Sequence, residues 1–212
     1  NSVWILFMNI DGTVDSQQKI GNATGGFSGS IATGDFFGQS VAAPGDLNGD
    51  GIEDVIVSAP GDDDGGAGRG AVWVLFLNAD GTVDSHQKIS DSSGGFGGTL
   101  QDSDGLGASV SCIGDIDGDG TADIAAGANE GLARGAVWIL FMNSDGTVSS
   151  EQKISESSGN FTGVLNDGDA FGVSISSPGD LDGDTVNDIV VGASGDDDGG
   201  SDGNGALWVL FL

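Results

Sequence analysis

Ala71-Val72-Trp73-Val74-Leu75-Phe76-Leu77 is apolar at every position, and the pattern returns as Val3-Trp4-Ile5-Leu6-Phe7-Met8, Ala136-Val137-Trp138-Ile139-Leu140-Phe141-Met142 and Ala206-Leu207-Trp208-Val209-Leu210-Phe211-Leu212. A short apolar run without alternation predicts a strand covered on both faces. It is far too short for a membrane-spanning helix, which needs ~20 such residues. The four tryptophans are 69, 65 and 70 residues apart. Two more markers keep the same register: Asp11-Gly12-Thr13-Val14, Asp80-Gly81-Thr82-Val83 and Asp145-Gly146-Thr147-Val148, then Gln18-Lys19-Ile20, Gln87-Lys88-Ile89 and Gln152-Lys153-Ile154. The chain is three periods of about 68 residues plus one extra tryptophan strand.

Each period carries four strand signals in a fixed order. The first opens at Phe37-Gly38-Gln39-Ser40-Val41, Leu106-Gly107-Ala108-Ser109-Val110 and Phe171-Gly172-Val173-Ser174-Ile175. The second is Asp54-Val55-Ile56-Val57, Asp123-Ile124-Ala125-Ala126 and Asp188-Ile189-Val190-Val191. The tryptophan run is the third and the Gln-Lys-Ile segment the fourth, with Asp-Gly-Thr as the hairpin turn between them. Four strands make one propeller blade, and a blade apolar on both faces needs neighbours. The expected fold is all-β, built of four-stranded antiparallel propeller-type blades. Outer strands occupy 1–35, whole blades 36–104 and 105–169, and inner strands 170–212. Three periods fall short of the four to eight blades of a closed ring. The ends therefore predict self-association by strand complementation, as a ring or a filament.

Composition narrows the function. Thirty-three Asp and Glu face five Lys and Arg, a formal charge of −28. Nucleic-acid binding is excluded as a reading, because phosphates need basic side chains to displace their counterions. Forty-one glycines among 212 residues argue against helices. No transmembrane segment is present in the sequence. The single Cys112 cannot form an internal disulfide and aligns with Ala43 and Ser177, which predicts a small buried position. His86 is the only histidine and aligns with Gln17 and Glu151, which predicts a surface residue and leaves no nucleophile–base–acid set.

Between the first two strands of each period lies an acidic loop. Oxygen-bearing side chains stand at its first, third, fifth and ninth places: Asp46, Asn48, Asp50 and Asp54; Asp115, Asp117, Asp119 and Asp123; Asp180, Asp182, Asp184 and Asp188. The seventh place, Ile52, Thr121 or Val186, can add its carbonyl. Hard oxygen donors on a curled, adaptable loop suit Ca²⁺, giving three expected sites. These are not EF-hands, because the twelfth place holds Val57, Ala126 or Val191 instead of Glu. The eleven carboxylates of the three sets repel one another unless a cation lies among them. The sixth place is Gly51, Gly120 and then Thr185, so a positive φ there would strain the third loop. Loops of this type bind in the ~10⁻⁴ to 10⁻³ M range and fill outside cells, which predicts an extracellular or cell-surface location.

With Phe37-Gly38, Leu106-Gly107 and Phe171-Gly172 ahead of these loops, and Ser58-Ala59-Pro60, Gly127-Ala128-Asn129 and Gly192-Ala193-Ser194 after them, each period resembles an FG-GAP repeat, the blade of the integrin α-subunit propeller. The resemblance covers essentially the whole chain. It implies a calcium-stabilised β-propeller, secreted or on a cell surface, engaged in adhesion or ligand binding.

The sequence thus points to a non-enzymatic calcium-binding extracellular repeat protein for adhesion or surface assembly, with a protein or glycan as ligand. The alternative is an integrin-like lectin whose inter-blade pockets offer Phe27, Phe96 or Phe161 to a sugar, although their recurrence favours core packing. A polysaccharide-cleaving enzyme on the same blade ranks third. Asp62-Asp63-Asp64 and Asp196-Asp197-Asp198 read as solvated turns, and Asp35, Asp104 and Asp169 as turn anchors. Arg69 and Arg134 are expected to pair with local carboxylates, and Asn22 and Asn160 stand in glycosylation-acceptor triplets.

Overall fold

The computed structural model describes residues 1–132, 134–197 and 203–212. Apart from a 3-10 turn at Glu130–Leu132, its regular elements are β-strands, paired antiparallel with their sequence neighbours inside each of four sheets. The first sheet holds β1 (Ser2–Met8) and β2 (Val14–Gly21). The second holds β3 (Val41–Gly45), β4 (Asp54–Ala59), β5 (Ala71–Leu77) and β6 (Val83–Ser90). The third repeats it with β7 (Val110–Gly114), β8 (Asp123–Ala128), β9 (Ala136–Met142) and β10 (Val148–Ile154). The fourth holds β11 (Phe171–Gly179), β12 (Asp188–Ala193) and β13 (Ala206–Leu210). Among the described residues no sheet closes on itself, and the architecture is that of an incomplete propeller with four-stranded blades. Among the described residues no helix is long and apolar enough to cross a membrane.

The tryptophan strands hold the sheets together. Val3 and Ile5 of β1 pack with Trp73, Leu75 and Leu77 of β5. Val72, Val74 and Phe76, the alternate residues of β5, pack with Trp138, Leu140 and Met142 of β9. Val137, Ile139 and Phe141 then pack with Trp208, Leu210 and Leu212. A phenylalanine seals each seam edge-on to the next tryptophan: Phe27 on Trp73 at 5.1 Å, Phe96 on Trp138 at 5.0 Å and Phe161 on Trp208 at 5.0 Å. Burial of both faces, expected for all four runs, holds for β5 and β9, whose sheets lie between two others. In β1 and β13 alternate residues face solvent, because each terminal sheet has one neighbour.

Successive sheets are joined at the Phe-Gly element. Gly38, Gly107 and Gly172 share a φ of +91°. This turn lets the Leu106 N–H reach the Arg69 carbonyl at 2.8 Å and the Phe171 N–H reach that of Arg134 at 2.9 Å, beside parallel bridges from Gly70 to Leu106 and Gly135 to Phe171. Residues 38–40 already bond β4, the Gly38 N–H to the Ser58 carbonyl and the Ser58 N–H to the Ser40 carbonyl, ahead of the regular strand that starts at Val41. Asp35, Asp104 and Asp169 anchor the preceding turn, each accepting the N–H three residues back, from Ala32, Gln101 and Asn166.

Three side chains depart from expectation. His86 is half-buried instead of freely exposed: β6 places it opposite Leu75, with its ring 4.9 Å from Phe27 and 5.3 Å from Trp73, and Nε2 3.1 Å from Ser28 Oγ. Cys112 is half-buried instead of buried, because β7 is an edge strand. Asp62 is buried instead of solvated, and Lys88 Nζ bonds it at 2.7 Å while lying 5.5 Å from the centre of the Trp73 ring. The Asp196-Asp197-Asp198 cluster lies partly outside the described residues. Arg69 pairs with Asp91 at 2.6 Å and Asp102 at 3.1 Å, and Arg134 with Glu156 and Asp167, as expected.

Two measurements probe this packing. A Cβ on Gly107 would lie 2.9 Å from the Ala71 carbonyl oxygen at a φ that L residues resist, so Gly107→Ala should cost about 2 kcal/mol in denaturant unfolding. A midpoint equal to wild type would contradict the joint described. Burial holds the His86 imidazole below its ordinary value. The unfolded chain then binds more protons than the folded one as pH falls below ~6.5. The contribution of neutral His86 is present above that pH and is lost below it. Melting temperatures from pH ~7.5 to ~5 should fall more steeply for wild type than for His86→Gln, and parallel curves would exclude the effect.

Candidate metal centres

The three acidic loops sit between β3 and β4, β7 and β8, and β11 and β12. Each curls by bonding its own side chains to its own backbone. The first aspartate does most of this: Asp46 accepts the N–H groups of Gly49, Asp50 and Gly51 at 2.8, 3.0 and 2.8 Å, and Asp115 those of Gly118, Asp119 and Gly120 at 2.7, 3.0 and 2.8 Å. Asp180 accepts from Gly183 and Thr185 at 2.6 and 2.9 Å. Those bonds hold the Asp180 carboxyl below the usual carboxylate range, with the Thr185 N–H the largest cause. The third residue accepts the fifth N–H in every loop: Asn48 from Asp50, Asp117 from Asp119 and Asp182 from Asp184. The fifth accepts the seventh, Asp50 from Ile52, Asp119 from Thr121 and Asp184 from Val186.

The ninth residue opens the next strand and is buried in all three loops. One carboxylate oxygen of Asp54, Asp123 and Asp188 accepts the N–H of the second loop residue, Leu47, Ile116 and Leu181, at 3.0, 2.9 and 2.7 Å. The other accepts an N–H at the end of the tryptophan run, from Leu77, Met142 and Leu212, at 3.1, 3.0 and 3.2 Å. Each loop is thereby clipped to the third strand of its own sheet. Burial pushes the Asp54 and Asp123 carboxyls up despite these bonds.

Oxygens of Asp115, Asp117 and Asp123 all lie within 4.8 Å of one another, as do those of Asp180, Asp182 and Asp188. Such a set, without nitrogen or sulfur donors, fits a hard divalent cation. The fifth residues, Asp119 and Asp184, are not in these groups. In the first loop Asn48 replaces one carboxylate, and its Nδ2 donates to Asp50 Oδ2 at 2.9 Å.

Sequence reading missed the lysine clamps, in which Lys88 reaches Asp62 and Asp64, and Lys153 reaches Glu130. The lysine inside every Gln-Lys-Ile marker was the available signal. Asn187, the eighth residue of the third loop, also crosses to the neighbouring sheet, its Nδ2 donating to the Ile113 carbonyl at 2.9 Å. Asn22 uses both ends of its amide on the Ile31 backbone, its Nδ2 donating to the carbonyl and its Oδ1 accepting from the N–H.

The sixth residue does adopt positive φ: +89° at Gly51, +97° at Gly120 and +82° at Thr185. For a β-branched residue this costs about 1–2 kcal/mol, partly offset against glycine's entropy loss of about 0.5–1 kcal/mol. Thr185→Gly should raise the unfolding free energy by about 0.5–1 kcal/mol, and a lowered denaturant midpoint would show that the loop does not need the left-handed turn.

Comparison with known proteins places these features. Residues 37–75, 107–140 and 171–210 match the FG-GAP repeat model. Integrin alpha-PS5 of Drosophila melanogaster is 35% identical over 163 residues, covering 76% of this chain and 15% of that protein. Integrin alpha-5 of Xenopus laevis is 35% identical over 168 residues, with the same two coverages of 76% and 15%. Integrin alpha pat-2 of Caenorhabditis elegans is 43% identical over 93 residues, 43% of this chain and 7% of that protein. The chain thus spans only a small part of the relatives it matches. Because the three matched segments make up more than half of its length and coincide with its three strand–acidic loop–strand units, this chain belongs to the FG-GAP repeat family.

Proposed function

We propose that the chain is a calcium-binding, adhesion-type propeller segment that works outside the cell as a binding scaffold and not as an enzyme. The observation that carries this reading is the convergence of Asp115, Asp117 and Asp123, and again of Asp180, Asp182 and Asp188, at the same place in successive integrin-like repeats. Asp46, Asn48 and Asp54 are their counterparts in the first loop. Ca²⁺ would supply the positive charge that these oxygens otherwise lack. The ninth aspartate already joins loop to tryptophan strand, so an ion held there would stiffen the sheet and not only the loop. Weak extracellular-type affinity keeps such sites filled only where calcium is abundant.

A non-enzymatic role is supported by the one histidine being engaged with Phe27, Trp73 and Ser28. The lectin reading is less favoured, because Phe27 and Phe96 are buried against tryptophans, and Phe161, half-buried, also stacks edge-on to Trp208.

Thermal unfolding with and without calcium, at matched ionic strength, tests the proposal. Binding only to the folded state adds about 2.7 kcal/mol per site at a hundredfold excess over Kd. The melting temperature should rise through the millimolar range and fall back on chelation. Identical curves in calcium and chelator, with no heat of binding by calorimetry, would overturn it.

A further inference from the structure

The two terminal sheets leave opposite apolar faces open. Trp4, Leu6, Met8 and Val14 on the first sheet, and Leu181, Leu207, Val209 and Phe211 on the last, are between 42% and 69% exposed. Their counterparts within the molecule meet each other. Trp138, Leu140, Met142 and Val148 pack against Leu47, Val72, Val74 and Phe76 in the seam between the second and third sheets, where none is more than 6% exposed. The first set of four is identical in the seam and on the first sheet. In the second set only Leu207 differs, standing where the seam has Val72.

We propose that these faces bind each other between two copies of the chain, the last sheet of one molecule stacking on the first sheet of the next. The contact is heterologous, so it leaves a free face at each end and continues as a ring or a filament. Face stacking needs no rearrangement. By contrast, merging the first sheet (third and fourth strands of the period) with the last (first, second and third) into one blade would bring two tryptophan strands to a single place. The open seam is smaller than the internal one, because Ile89 of β6 and Phe96 after it contribute to the internal seam and the last sheet has three strands among the described residues. The chain's charge of −28 also opposes association. Added salt therefore strengthens the contact, by screening that repulsion and favouring apolar burial.

The test uses single-face variants in analytical ultracentrifugation at about 1 M salt, where the screening length is about 3 Å. Wild type should gain mass with concentration beyond the dimer, and more so than in dilute salt. Leu6→Asp and Val209→Asp, each on an exposed position and checked for an unchanged melting curve, should each stay monomeric. Their equimolar mixture should form a dimer and stop there, since each molecule keeps one usable face. Wild type that is monomeric throughout overturns the proposal without recourse to any variant. So does either single variant that still dimerises, as a like-on-like contact or a strand exchanged onto the free edge of β13 would allow, and so does a mixture that stays monomeric.

Discussion

A strand that is apolar on both faces is stable only between two other layers, and this constraint organises the molecule. The interior runs of β5 and β9 cannot be satisfied by their own sheets, whose hydrogen bonds lie edgewise and leave both faces bare. Each run contributes alternate residues to two seams: Trp73, Leu75 and Leu77 to one, and Val72, Val74 and Phe76 to the other. Removing one sheet therefore exposes half of its neighbour, which is why the stack, and not the single blade, is the folding unit.

Within that stack the acidic loops and the core are parts of one device. Asp54, Asp123 and Asp188 have no solvent exposure, yet each belongs to a loop whose first and third residues are open to water. Their carboxylates are stabilised by two backbone N–H groups from segments far apart in sequence, the loop and the end of the third strand. Charge in the loop and packing in the seam are thus connected through a single side chain per repeat. Any ion that draws on that carboxylate acts on the strand that carries the tryptophan.

Much of this was legible in the sequence because it is written in local, repeated patterns. The period, the strand order, the turns at Asp-Gly-Thr and the positive φ at the sixth loop place all follow from short windows in which residue type decides backbone conformation. Thr185 was identifiable as the odd member for that reason. The contacts that were misread lie between residues far apart in the chain. His86 looked like a surface position since its counterparts are Gln17 and Glu151, but its environment is set by Phe27 and Ser28 in the loop after β2. Asp62 looked solvated because an Asp-Asp-Asp run between glycines usually is; Lys88, twenty-six residues on, closes over it. A composition-based reading cannot see which distant cation a given carboxylate meets.

The parallel bridges at Gly70–Leu106 and Gly135–Phe171 attach the third and fourth sheets to the ones before them in the same way. With seams built from like residues and joints of one design, a whole period is an interchangeable module. Duplication or loss of one at the level of the gene preserves the geometry of every remaining junction, whereas a deletion of half a period leaves a sheet whose faces match nothing. The natural unit of length change in this chain is therefore a whole period of 65 to 70 residues.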